Sequence, residues 1–171
     1  MLDQLLGEVA VHNRALVIPD TPVPAGARVK AYNHPLGTSG ISLFANKSNA
    51  ALYKENFPMS LQDASMLLPV PESLTRRALD EWFDNLGISP MVVAEFEDSA
   101  LMKVFGGEGA GVFPAPEVMR NEIEQMYGVK RIGNADSVME SYYAISPERK
   151  LKHPIVLQLI ESAREILNGQ R

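Results

Sequence analysis

The chain has 171 residues, 46% of them hydrophobic and 22% charged, with a net charge of −5 and no cysteine. That composition fills a core and excludes a disordered segment, and the length fits one domain or two small lobes. The acidic balance argues against nucleic-acid binding by these residues, and the lack of Cys excludes disulfides, Cys-ligated zinc and thiol nucleophiles.

At the N-terminus Leu2, Leu5, Leu6, Val9 and Ala10 follow helical spacing, with Asp3 and Glu8 on the other face. This start has no basic residues followed by an apolar run, so it does not read as a signal peptide. No stretch approaches the roughly 18 apolar residues of a membrane span, and a cytoplasmic location without membrane contact is expected. Residues 15–19 read as a short buried strand. A helix followed by a strand is an unusual opening for an α/β unit, which implies that the chain begins inside a fold. Residues 20–26, DTPVPAG, form an extended connector.

Two strands are predicted over 28–34 and 40–46, with a Pro-Leu-Gly turn between them, and a short helix over 47–56. A strand over 65–70 leads to a helix over 73–86. Leu74, Ala78, Leu79, Trp82, Phe83 and Leu86 form its apolar face, Ser73 caps it and Gly87 ends it. A strand over 90–96 leads to a helix over 99–106, capped by Asp98. Four glycines then fall within six residues, Gly106, Gly107, Gly109 and Gly111. They follow a helix and precede a strand, the reverse of a nucleotide-binding loop, so they read as a structural turn. A strand over 110–113, a helix over 116–127 ended by Gly128, strands over 129–132 and 138–145, and a helix from Pro154 to 167 complete the pattern. The alternation between 65 and 127 predicts a mostly parallel sheet covered on both faces.

The segment EFEDSALMKVFGGEGAGVFPAP, residues 95–116, resembles the effector-binding domain of LysR-type transcriptional regulators. In that family a helix, a Gly-x-Gly turn and a strand closing on proline follow one another; here they are matched by Gly107, Gly109 and Pro114. Residues 73–83, SLTRRALDEWF, resemble the preceding family helix, and residues 90–93 the strand after it. Within the family, residues 95–106, 138–156 and 16–23 resemble a sodium-responsive activator of antiporter genes.

The resemblance implies an α/β, periplasmic-binding-protein-like fold of two lobes with the first lobe incomplete. Residues 1–30 and 133–171 would be the remnant of the first lobe and 31–132 the second. Thr21, Pro22 and Gly133 would lie at the hinge crossings. The family's helix-turn-helix has no counterpart in the 171 residues, so DNA contact is expected only through an N-terminal part. Self-association into a dimer or tetramer is expected of the full-length protein. The helix over 73–86 would face a partner subunit through Arg77, Glu81 and Asp84.

Helix starts with free N–H groups suit polar or anionic ligands. Pro69, Pro71, Glu72 and Ser73 match the family's second-lobe effector wall; an ordinary helix cap with rigid prolines explains the same residues. Glu97, Asp98 and Ser99, with Glu95, could attract a hard cation; a solvated strand edge and a cap favoured by the helix dipole are the alternative. His12, His34 and His153 lack ligand spacing, and no metal site or cofactor is expected. The doublet Arg76-Arg77 reads as facing solvent or a partner.

The leading expectation is therefore a sensor of a small molecule or ion, not an enzyme. A solute-binding protein of the same fold and a small α/β enzyme are the alternatives. The former lacks an export signal, and the latter lacks a nucleophile, metal or phosphate motif.

Overall fold

A computed structural model of the chain describes residues 23, 31–147 and 154–168. The expected N-terminal helix, the strand over 15–19, Thr21 and Pro22 lie outside the described residues. The chain divides into two compact units, Met1–Ser39 with Glu140–Arg171, and Gly40–Met139.

The strands are β1 (Tyr32–Asn46), β2 (Ser65–Pro69), β3 (Met91–Phe96), β4 (Phe113–Pro116) and β5 (Val129–Ser146). The helices are α1 (Ala50–Lys54), α2 (Leu74–Leu86), α3 (Ser99–Gly107), α4 (Arg120–Tyr127) and α5 (Pro154–Asn168). A 3-10 turn, Glu117–Met119, leads into α4 where one continuous helix was expected.

In the unit Gly40–Met139, alternate strand residues enter two different cores. Leu43, Met66, Leu68 and Val112 pack with Leu79, Trp82 and Phe83 of α2. Phe44, Leu67, Phe113 and Ala115 pack with Met102 of α3 and Ile123 of α4. The period-two alternation of strands thus places α2 on one face of the sheet and α3 with α4 on the other. β2 and β3 are parallel, with Pro69 opposite Phe96, and Met66 makes a parallel bridge to Val112.

The expected coverage on both sides is not complete at β3. Met91, Val92 and Val93 remain exposed, because among the described residues β3 pairs only with β2, at the sheet edge. Within residues 65–127 the pairings are parallel, as expected; β4 also runs antiparallel to β1, from Ile41↔Pro116 to Phe44↔Phe113. β4 also begins later than the predicted strand, because Val112 bridges β2 while 113–116 pairs with β1. Pro114 and Pro116 cannot donate, so they occupy the positions of β4 whose nitrogens face away from β1.

The predicted turn at Pro35-Leu36-Gly37 is not formed, and β1 runs through it. Pro35 lies outside the register shared with β4. Leu36 is buried against Ala144 and Ile160, which holds the strand extended. The predicted break between 132 and 138 is likewise a stretch of β5. Ile132, Ala135 and Val138 are all buried in one core, and the irregularity is confined to Ser137 at φ 68°.

In the other unit, α5 packs Ile160, Val156, Ala163 and Leu167 around Leu36 and Ala144. The Arg164 guanidinium donates to the Pro35 carbonyl at 3.0 Å. His34 Nε2 and Ser146 Oγ lie 3.0 Å apart.

The glycine run forms the expected turn from α3 back to the sheet. Gly109 has φ +90°, which a side chain resists. Gly106 is close-packed: a Cβ there would lie 2.0 Å from the Phe113 ring.

Candidate functional site

Two helices start side by side on the unit Gly40–Met139. The parallel pairing of β2 with β3 ends at Pro69 and Phe96, and each strand turns directly into a helix start. Ser73 caps α2, its Oγ accepting from the Arg76 amide at 3.4 Å. Asp98 caps α3 through Oδ1, which accepts from Ala100 N at 2.7 Å and Leu101 N at 3.5 Å. The Val70 amide donates to the Phe96 carbonyl at 3.1 Å, tying the two turns together. The structure therefore brings Pro69, Pro71, Glu72 and Ser73 next to Glu97, Asp98 and Ser99. Pro71, Glu72, Glu97, Asp98 and Ser99 are exposed, and Pro69 and Ser73 are half-buried. Helix-start amides and the positive ends of two helix dipoles suit a polar ligand there.

Arg76 holds this edge together. Its guanidinium donates through Nε to Asp80 at 3.0 Å and through Nη1 to Glu95 at 2.7 Å and the Pro69 carbonyl at 2.8 Å. One side chain thus joins α2, β2 and β3. Burial opposes its charge, but the bonds to Glu95 and Asp80 outweigh that and raise its pKa above the usual arginine value. The expectation that Arg76 faces solvent or a partner is corrected: its side chain is 11% exposed. The signal was present, because Arg76 lies three and seven residues before the buried Leu79 and Phe83, on the core-facing stripe. Its partner Glu95 is also removed from the carboxylate cluster. Among the described residues no group of His, Cys, Asp and Glu side chains is arranged to hold a metal ion.

Arg77, Glu81 and Asp84 are exposed and share one face of α2 at positions i, i+4 and i+7. Leu74 and Leu86, expected on the apolar face, are exposed at the two ends of the helix. Gly133 lies within β5, where the Phe57 ring would be 2.3 Å from a Cβ, and the unit extends beyond it to Met139.

A second polar cluster escaped sequence reading because its members are far apart in the chain. Ser42 Oγ, fully buried, lies between Glu117 Oε2 and Asn134 Oδ1. Arg131 Nη1 donates to Asn134 Oδ1 at 2.7 Å and lies 3.8 Å from Glu117 Oε1. Beside it, Glu124 accepts from the Arg131 amide at 2.9 Å and from Lys130 Nζ at 2.8 Å. Burial works against the Glu124 carboxylate, yet these donors and the nearby Arg120 bring its pKa from 4.5 down to about 2. A depressed carboxylate stabilises the fold above its unfolded pKa and loses that contribution as pH falls through the folded value. Between pH 4.5 and about 2 the parent chain should lose on the order of 1–2 kcal/mol more stability than Glu124→Gln, after allowance for solvent screening. Thermal melts of both proteins across that range check this.

Residues 28–168 match the family described as the LysR substrate binding domain. This chain belongs to that family. It is 29% identical over 157 residues to the transcriptional activator protein NhaR of Escherichia coli K12, which covers 92% of this chain and 51% of that protein. The chain thus spans about half the length of the curated relatives it matches. Among solved structures, the effector domain of AmpR from Pseudomonas aeruginosa matches with a TM-score of 0.68 at 20% identity, covering 95% of this chain and 77% of AmpR's. The CcmR regulatory domain of Synechocystis PCC6803 in complex with 2-PG matches at 0.61 and 13% identity, covering 98% and 80%. These likenesses establish the α/β, periplasmic-binding-protein-like fold of the LysR domain. No helix among the described residues is long and apolar enough to cross a membrane.

Proposed function

We propose that this LysR domain is the ligand-sensing part of a NhaR-like transcriptional activator that responds to sodium and controls antiporter genes in the cytoplasm. The observation that carries the reading is the 29% identity to NhaR over 92% of this chain; the paired helix starts at Ser73 and Asp98, set side by side by the β2–β3 pairing, offer the polar surface on which an effector would sit. Pro69, Pro71, Glu72, Ser73, Glu97, Asp98 and Ser99 would contact the effector. A small-molecule ligand in the relative CcmR supports an effector role for the fold. The domain would act as a sensor, not as an enzyme. Ligand shifts its conformational balance, and a DNA-binding part elsewhere in the full-length protein reads the shift. Arg77, Glu81 and Asp84 would face a second subunit, and Thr21 and Pro22 would accommodate the movement, Gly133 contributing only as the inner end of the crossing on β5.

Calorimetric titration of sodium chloride into the full-length protein, against potassium and lithium chloride, tests the proposal. Saturable heat is expected for sodium, weakened several-fold in Glu97→Gln. Heat of dilution alone for all three salts contradicts direct sodium sensing.

A further inference from the structure

We propose that the unit Gly40–Met139 carries a second ligand site, for a small apolar zwitterion of the amino-acid class, at the C-terminal half of α2. A depression of about 310 Å³ is lined there by Phe57, Pro58, Trp82, Leu86, Arg131, Asn134 and Asp136. Trp82 lies nine residues after the Ser73 cap, about 13 Å along the helix, so this site is separate from the helix starts.

The lining is divided by chemistry. Phe57 and the edge of Trp82, a core residue only 7% exposed, form the aromatic part, their ring centroids 6.2 Å apart and tilted by 30°. Leu86 extends it, 38% exposed although apolar. The remaining lining residues, Arg131, Asn134 and Asp136, are polar and carry both charges. Asn134 Oδ1 accepts from Arg131 Nη1 at 2.7 Å, which fixes the amide and leaves Nδ2 without a partner among the described residues. Arg131 Nη2 and Nε and the Asp136 carboxylate also have none there. Gly133 packs against the Phe57 ring so closely that a Cβ there would lie 2.3 Å from it, which limits the ring's movement.

This set selects its ligand. An apolar side chain on Phe57, Trp82 and Leu86 gains by leaving water. A carboxylate meets Arg131 and Asn134 Nδ2, and an ammonium meets Asp136. A simple carboxylate would leave Asp136 repelling it, and a simple amine would meet Arg131. The volume lies at the low end of ligand pockets, about ten water volumes, which suits one amino acid and not a larger effector.

Trp82 is the sole tryptophan of the chain, so its fluorescence follows this aromatic lining without a second tryptophan's background, and the comparison of ligands and of Asp136→Asn separates binding here from a change elsewhere on α2. L-phenylalanine titrated into the 171-residue chain should give a saturable change. Half-saturation should come at a concentration about tenfold below that of 3-phenylpropionate or 2-phenylethylamine, which each lack one charge. Asp136→Asn, at an exposed rim position, should abolish the preference over 3-phenylpropionate. No saturable change by about 10 mM, equal responses to the three compounds, or an unaltered preference in Asp136→Asn would each overturn the proposal.

Discussion

Gly106→Ala is expected to destabilise the chain by roughly 3 kcal/mol or more, lowering Tm by about 6–12 °C. Two effects oppose each other. Alanine is the better helix former by about 1 kcal/mol, and Gly106 is helical. Against that, the added Cβ would lie 2.0 and 2.4 Å from two Phe113 ring atoms. The ring cannot yield easily: Phe113 is fully buried and stacked on Phe44 at 5.7 Å. The helix must therefore move off the sheet, and overpacking wins. Gly87→Ala provides the contrast. Gly87 has φ +67° but nothing within 4 Å of its Cβ position, so only the backbone preference is lost, at about 1 kcal/mol. Combining Gly106→Ala with Phe113→Leu should recover part of the loss, and thermal melts of the four proteins measure the coupling.

Arg76→Met is expected to cost roughly 2 kcal/mol and to weaken effector binding with it. The arginine is buried, but Asp80 and Glu95 are 49% and 42% exposed. They can rehydrate when it is removed, which keeps the cost below that of a fully buried pair. The Pro69 carbonyl loses its side-chain partner as well. Arg76→Lys should rescue little, because a single ammonium cannot serve Asp80 from one side and Glu95 with Pro69 from the other. A double-mutant cycle with Glu95→Gln should return a coupling near 1 kcal/mol, and additive effects would show that the pair is idle. Loosening this joint would also free the ends of β2 and β3 relative to one another, so affinity should fall even at temperatures where the protein is folded.

The helices of the site unit were readable because their punctuation is local. Ser73 and Gly87 bracket α2, Asp98 starts α3, and the glycines that follow turn the chain without competing structure. The long strands were not readable, since Pro35 and Gly133 look like breaks when only neighbours in sequence are considered. Leu36 against Ile160, and Phe57 against Gly133, override them through contacts distant in the chain. The same limit hid the Ser42–Glu117–Asn134–Arg131 cluster. Arg76 was hidden differently: its position on the core stripe of α2 was visible, but its partner Glu95 on β3 was not. The helix starts at Ser73 and Asp98 could be placed individually from sequence, whereas their adjacency needed the β2–β3 register.

Backbone amide resonances followed during a sodium titration of the full-length protein test the sensing role most directly. The account predicts saturable shifts concentrated at residues 70–73 and 97–101, with much smaller changes for potassium and lithium at equal ionic strength. Equal small shifts with all three salts, spread over the acidic surface, would contradict it.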